Sequence, residues 1–196
     1  MVIFLVRHGI TRWNQEFRYQ GQTDIELSEA GKRQALSVAE HLGQKGIQAL
    51  YCSDLSRCLQ TASIINEHLG LEITVEPRFR EIAFGIWEGL TYAEAREQYP
   101  ELVWEWVHNT VNFSIPQGES FSQVMERTWA AWEEITRRPA DPVVIVTHGG
   151  VIRALLHKMG FMANGEFWRD VLKPASITVV DTTLQQYHII EAINPD

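Results

Sequence analysis

The chain has 196 residues, 45% of them hydrophobic and 21% charged, and a formal charge of −8 at pH 7. That composition suits an ordinary globular chain, and the negative balance argues against nonspecific binding to nucleic acid or to an anionic membrane. No run approaches the ~18 apolar residues of a membrane span, no basic leader precedes the first strand pattern, and Cys52 and Cys58 fit no common zinc or redox spacing.

One cytoplasmic domain over residues 1-196, with two free thiols, is therefore expected. Val2 to Val6 is a continuous apolar run, the pattern of a strand buried on both faces, and it stops at Arg7-His8-Gly9. The polar stretch from Trp13-Asn14 to Thr23-Asp24 reads as a loop over the end of a sheet. Ser28 predicts a helix N-cap, followed by Ala35, Val38, Ala39 and Leu42 at helical spacing. Leu50 to Cys52 reads as a short strand. Ser53 or Asp54 is expected to cap the next helix, whose inward stripe is Leu55, Leu59, Ala62, Ile65 and Leu69. A third strand is predicted from Glu72 to Val75. From Phe84 to Gly118 the period weakens, with Trp87, Trp104 and Trp106 among charges and Pro100 as a breaker. Residues 84-118 are expected to be an excursion covering the active site.

Phe121, Val124, Met125, Thr128, Trp132 and Ile135 mark a long helix closed by Pro139 and Pro142. Val143 to Thr147 then repeats the first pattern and ends in His148-Gly149-Gly150. A helix from Val151 to Met159 and two strands, Ile177 to Asp181 and Gln185 to Ile190, complete the order. Strands alternating with helices predict an α/β fold with a largely parallel sheet.

Two buried strands that each end in His-Gly place two imidazoles at carboxyl ends of strands, where open α/β sheets bind ligands. Adjacent strands lie ~4.8 Å apart, so His8 and His148 are expected to address one small group. Arg7 and Arg57 add planar forks suited to phosphate oxygens, and the N–H groups of Gly149 and Gly150 open a helix at its anion-favouring end. Two arginines, two histidines and a helix start make a phosphoryl site without a metal or cofactor. Arg7 beside His8 would repel a divalent cation.

The arginines disfavour an imidazolium and keep His8 neutral, ready to attack phosphorus and form a phosphohistidine. Glu81 is the candidate proton donor to the leaving group, with Glu88 and Glu119 next in line. His148 is expected to donate a hydrogen bond to the charge building on the transferred group. Thr11, Gln20 and Gly21 are candidate substrate contacts. His41, His68, His108, His157 and His188 read as solvated or capping residues, and Trp129 and Trp132 as core.

The sequence resembles the histidine phosphatase superfamily, in its phosphoglycerate-mutase-like branch. The resemblance rests on Leu5-Val6-Arg7-His8-Gly9, Trp13-Asn14, Leu27-Ser28-Glu29-Ala30-Gly31 and the block from Ser53 to Ala62. It continues through Glu81 with Phe84-Gly85-Ile86-Trp87-Glu88-Gly89, Gly118-Glu119-Ser120, and Thr147-His148-Gly149-Gly150-Val151. It implies a three-layer α/β/α sandwich with His8 as the phosphorylated nucleophile. It further implies Arg7, Arg57 and His148 as the phosphate pocket, Asn14 as a further phosphate contact and Glu81 as proton donor.

The segment after Glu81 is apolar and compact, without the extra basic sequence of cofactor-dependent phosphoglycerate mutases, which favours a phosphomonoesterase. The Phe-Gly-x-Trp-Glu, Trp106 to Asn109 and Pro116-x-Gly-Glu blocks are similar to alpha-ribazole phosphatases. Trp104 and Trp106 either line an aromatic mouth, which would suit such a substrate, or pack within the excursion. Phosphoserine or broad-specificity phosphatase, phosphoglycerate mutase and a non-catalytic phospho-ligand binder are the alternatives. The expected partner is a small phosphate monoester, with no nucleic acid or membrane and with a dimer left open.

Overall fold

The computed structural model describes residues 1–162 and 172–190. Its centre is a six-stranded sheet in the order β3-β2-β4-β1-β5-β6. Strand β1 (Val2–Arg7) runs parallel to β4 (Val143–Thr147), with Arg7 opposite Thr147. Strand β2 (Ala49–Cys52) pairs in parallel with both β4 and β3 (Ile73–Val75). On the other side β5 (Ile177–Asp181) and β6 (Gln186–Ile190) add an antiparallel hairpin. The sheet is thus parallel from β3 to β1 and antiparallel at the β5–β6 edge.

Alternation within the apolar runs builds two cores. Ile3, Leu5, Val143 and Ile145 face α6 (Phe121–Thr136) and α7 (Gly149–Lys158), while Phe4, Val6, Val144 and Val146 face α2 (Glu29–Leu42) and α3 (Ser56–Leu69). Full burial of each such side chain contributes about 1.5–3 kcal/mol, which fixes β1 and β4 side by side in the middle layer. The architecture is the expected three-layer α/β/α sandwich.

Several local expectations are corrected. Neither Ser53 nor Asp54 caps α3. Its N-cap is Leu55, without a side-chain hydrogen bond, because Ser53 is drawn to His148 and Asp54 to Arg80. The buried face of α3 is Arg57, Cys58, Thr61, Ala62 and Ile65, with Leu59 and Leu69 only partly buried. The loop from Trp13 to Asp24 contains the short helix α1 (Arg12–Gln15), closed by a capping box between Thr11 and Asn14. The 84–118 segment forms a 3-10 turn at Gly85–Trp87 and two helices, α4 (Tyr92–Gln98) and α5 (Pro100–His108). Pro100 breaks the helical run as expected: α4 ends at Gln98, Tyr99 is non-helical, and Pro100 starts α5 in its first turn, where the missing N–H costs no helical bond.

Both cysteines are buried and free. His41, His68, His108 and His157 fall in the last turns of their helices, where a cation complements the helix dipole.

Candidate active site

The β1–β4 register carries straight on into the site. The N–H of His8 donates to the carbonyl of Thr147 at 3.0 Å, and the His8 and His148 rings meet edge-on with centroids 5.2 Å apart. Gly9 is required for close approach rather than for an unusual turn. A Cβ there would lie 2.4 Å from the carbonyl oxygen of Gly31 on α2.

His8 is 3% exposed, and its Nδ1 lies 2.8 Å from the carbonyl oxygen of Gly9. A carbonyl only accepts, so Nδ1 carries the proton and Nε2 holds the lone pair. Burial, with Arg57 and Arg7 adding to it, holds the imidazole well below the usual histidine range. His148 is fully buried and is held low by burial first and then by Arg57. Its Nδ1 accepts from Arg57 Nε at 3.3 Å, which leaves Nε2 to donate to Ser53 Oγ at 3.0 Å. Both ring nitrogens of His148 therefore already have protein partners, unlike the free donor expected from sequence.

Arg57 is wholly buried and also donates to the carbonyls of Gly21 at 2.6 Å and Thr23 at 3.1 Å. Arg7 donates through Nη1 to the carbonyl of Leu172, while its buried Nε has no hydrogen-bond partner among the described residues. Burial draws this guanidinium down to about 10, so it stays charged at neutral pH.

A cavity of about 270 Å³ opens above these groups. Arg7, Asn14, Gln20, Glu81, Gly149 and Gly150 are on its wall. His8, Arg57 and His148, linked through His148, are not among the lining residues, and neither are Thr11 and Gly21. Thr11 caps α1 and donates to Gln20 Oε1 at 2.6 Å, whereas Gly21 serves Arg57 through its carbonyl. Gln20 is 8% exposed with an unpartnered amide nitrogen, so its donor capacity is unspent. Asn14 Oδ1 accepts from the N–H of Thr11 at 3.1 Å.

Glu81 sits on the start of α7. Its Oε2 accepts from the N–H of Gly150 at 3.0 Å and its Oε1 from the N–H of Ile82 at 2.9 Å. Glu88 and Glu119 are engaged elsewhere. Glu88 binds the N–H groups of Gln22, Thr23 and Phe84, and Glu119 pairs with Arg127.

Sequence reasoning did not name five wall residues as site candidates, Arg18, Tyr19, Ile82, Phe84 and Arg153. The signal for Arg153 was there: it is a cation inside an otherwise apolar turn of α7, 9% exposed, with Nη1 on the carbonyl of Gly149 at 3.2 Å. Of the two expectations for Trp104 and Trp106, a substrate mouth or packing within the 84–118 segment, Trp106 follows the second and no tryptophan lines the cavity. Trp106 is buried against Phe84 and Trp87, and Trp104 is exposed and stacked on His108. The aromatic wall is instead Tyr19 and Phe84, whose rings are 5.0 Å apart. A larger cavity, about 420 Å³, lies between Trp129, Trp132, Lys158 and Asp181 and holds none of the predicted site residues. Among the described residues no cluster of three or more His, Cys, Asp or Glu side chains could hold a metal ion, and no helix is long and apolar enough to cross a membrane.

The chain is similar to known proteins over most of its length. Phosphoglycerate mutase-like protein 4 of Arabidopsis thaliana is 40% identical over 160 residues, covering 80% of this chain and 70% of that protein. Phosphoserine phosphatase 1 of Hydrogenobacter thermophilus is 35% identical over 179 residues, covering 91% and 85%. A mycobacterial glucosyl-3-phosphoglycerate phosphatase, solved with VO3, superposes with a TM-score of 0.84 at 31% identity over 100% of this chain and 99% of that one. The sequence profile of the histidine phosphatase superfamily, branch 1, matches residues 3–194. The chain belongs to the histidine phosphatase superfamily.

Proposed function

We propose that the protein is a cytoplasmic, metal-independent phosphomonoesterase that works through a phosphohistidine on His8. The observation that carries the reading is the His8 ring itself, neutral under the influence of burial, Arg57 and Arg7, with Nδ1 tied to Gly9 and no hydrogen bond to Nε2 among the described residues. In-line attack by Nε2 forms the N–P bond as the P–O bond to the leaving group breaks. Glu81, in its protonated form, delivers a proton to the departing alkoxide, an effect worth about 10²–10⁴-fold. Water then attacks the phosphohistidine with Glu81 accepting its proton. The phosphoryl oxygens are held by Arg7, Arg57, Asn14 and the N–H of Gly149. His148 acts chiefly by aiming Arg57, through the bond from Arg57 Nε to His148 Nδ1.

The whole chain is read as one such domain, with Phe84 of the 84–118 segment closing part of the mouth. A cavity of about 270 Å³ is below the usual ~300–1,000 Å³ of drug-sized sites, and Arg18 and Arg153 stand on its wall. Both features favour a small phosphorylated carboxylate of the phosphoserine or phosphoglycerate type, and the names of the relatives point the same way. Alpha-ribazole 5'-phosphate is the second reading, supported by the Tyr19–Phe84 wall. The test is phosphate release from phosphoserine, 3-phosphoglycerate and alpha-ribazole 5'-phosphate. The expected result is the highest kcat/KM on a phosphorylated carboxylate. Interconversion of phosphoglycerates without net phosphate release would show a mutase, and binding without turnover a non-catalytic protein.

A further inference from the structure

The acid segment is held by groups that do not line the cavity. Arg127, on α6, donates through Nη1 to the carbonyls of Arg78 and Arg80, both at 2.7 Å, and through Nη2 to the carbonyl of Glu81 at 3.1 Å. The same guanidinium makes a two-pronged pair with Glu119, Nε to Oε1 at 2.8 Å and Nη2 to Oε2 at 2.9 Å. Glu119 in turn accepts from the N–H of Ala83 at 3.0 Å and from Gln22 Nε2 at 3.2 Å. Its own N–H donates to the carbonyl of Ala83 at 2.9 Å. The backbone is therefore gripped on both sides of Glu81.

Burial pulls the Glu119 carboxyl up, but Arg127, Ala83 and Gln22 together outweigh it and keep the group below the ordinary carboxylate range. Glu119 therefore stays ionised through neutral pH. Both side chains are about four-fifths buried, at 20% and 21% exposure. Surface pairs of this kind contribute little to stability. Three carbonyl contacts from one planar fork are a different matter, because only arginine presents donors in that geometry. Helix α6 also packs on α7, whose first turn supplies the N–H that holds the Glu81 carboxylate. One helix thus ties the carboxylate's backbone and its anion-binding partner into a single frame.

We infer that Arg127 and Glu119 are positioning residues for the reaction, a strap that sets Glu81 against the leaving group without touching substrate. The inference rests on the reading of Glu81 as the general acid. A proton donor misplaced by about 1 Å can lose ~10²-fold, so loosening the strap should reproduce the loss of the acid itself. That loss falls on poor leaving groups and spares good ones.

The experiment compares single-turnover phosphorylation by an alkyl phosphate and by nitrophenyl phosphate in Arg127→Met, Arg127→Lys, Glu81→Gln and the Arg127→Met/Glu81→Gln double variant. The expected result is that Arg127→Met slows the alkyl ester at least about tenfold more than the aryl ester. Lysine, which lacks the fork, should rescue little. In the Glu81→Gln background Arg127→Met should add almost nothing on the alkyl ester, because both changes remove one effect. Equal losses on the two esters in Arg127→Met, or additive losses in the double variant, overturn the strap while leaving Glu81 as the acid. Equal losses in Glu81→Gln overturn the acid assignment, and the strap with it. If Arg127→Met does not fold, Arg127→Lys carries the same comparison.

Discussion

The carboxylate of Glu81 accepts a hydrogen bond from the backbone N–H of Gly150 at 3.0 Å, at the start of the helix that follows His148. The anion seat expected to be open for phosphate is therefore held partly by the acid, which places that acid beside the seat. Gly150 is what allows it: a Cβ there would lie 2.2 Å from Glu81 Oε1. Because the clash is with the end of a side chain and not with backbone, Gly150→Ala is expected to fold. It should push Glu81 aside and slow alkyl phosphate turnover by about 10²-fold or more. A Gly150→Ala enzyme with undiminished alkyl phosphatase activity would contradict this arrangement.

The two histidines make a prediction for stability. Each has a folded-state pKa below its unfolded value near ~6.5, because of burial and the neighbouring arginines. Between those two values the unfolded chain binds more protons, so stability rises with pH and is lost as pH falls below ~6.5. Each histidine adds up to about 1.4 kcal/mol per pH unit in that window. The carboxyls held low, such as Asp54 and Glu119, act only at more acid pH, below their own unfolded range near ~4. Urea unfolding between pH 6.5 and 5 should show a shallower slope in His8→Asn than in the wild type, by about 1.4 kcal/mol per unit. An unchanged slope would mean that His8 titrates alike in both states.

Charge stabilisation is assigned to Arg7, Arg57 and Asn14, so phosphatase activity on an aryl ester should survive a strong chelator. Loss of activity that added Mg²⁺ or Zn²⁺ restores would contradict that assignment.

Much of this frame was legible because strands buried on both faces read as unbroken apolar runs. Val2 to Val6 and Val143 to Val146 could be recognised as a pair from their shared His-Gly ends, and they are neighbours in register. What escaped were polar residues buried for a specific partner. Ser53 carries the same local signal as a helix cap, and only the fold reveals that His148 claims it. Thr61 lies on the buried face of α3, where an apolar-period reading places only hydrocarbon, and although Arg57 is a phosphate-binding candidate from the sequence, its complete burial on that face is not legible there. The 84–118 segment was illegible because its helices span only seven and nine residues, too short for a clear period. Its capping box at Thr91 and Glu94 was the readable signal that went unused. Trp104 and Trp106 show the same limit, since two positions apart on a helix they face different surroundings.

The central claim is that His8 carries the phosphoryl group, and trapping it is the most direct measurement. Enzyme mixed with nitrophenyl phosphate, quenched in alkali to preserve an acid-labile phosphoramidate, is digested and the modified peptide mapped by mass spectrometry. The account predicts a single adduct on His8, absent from His8→Ala. An adduct on His148, or steady turnover with no adduct in either enzyme, would contradict it.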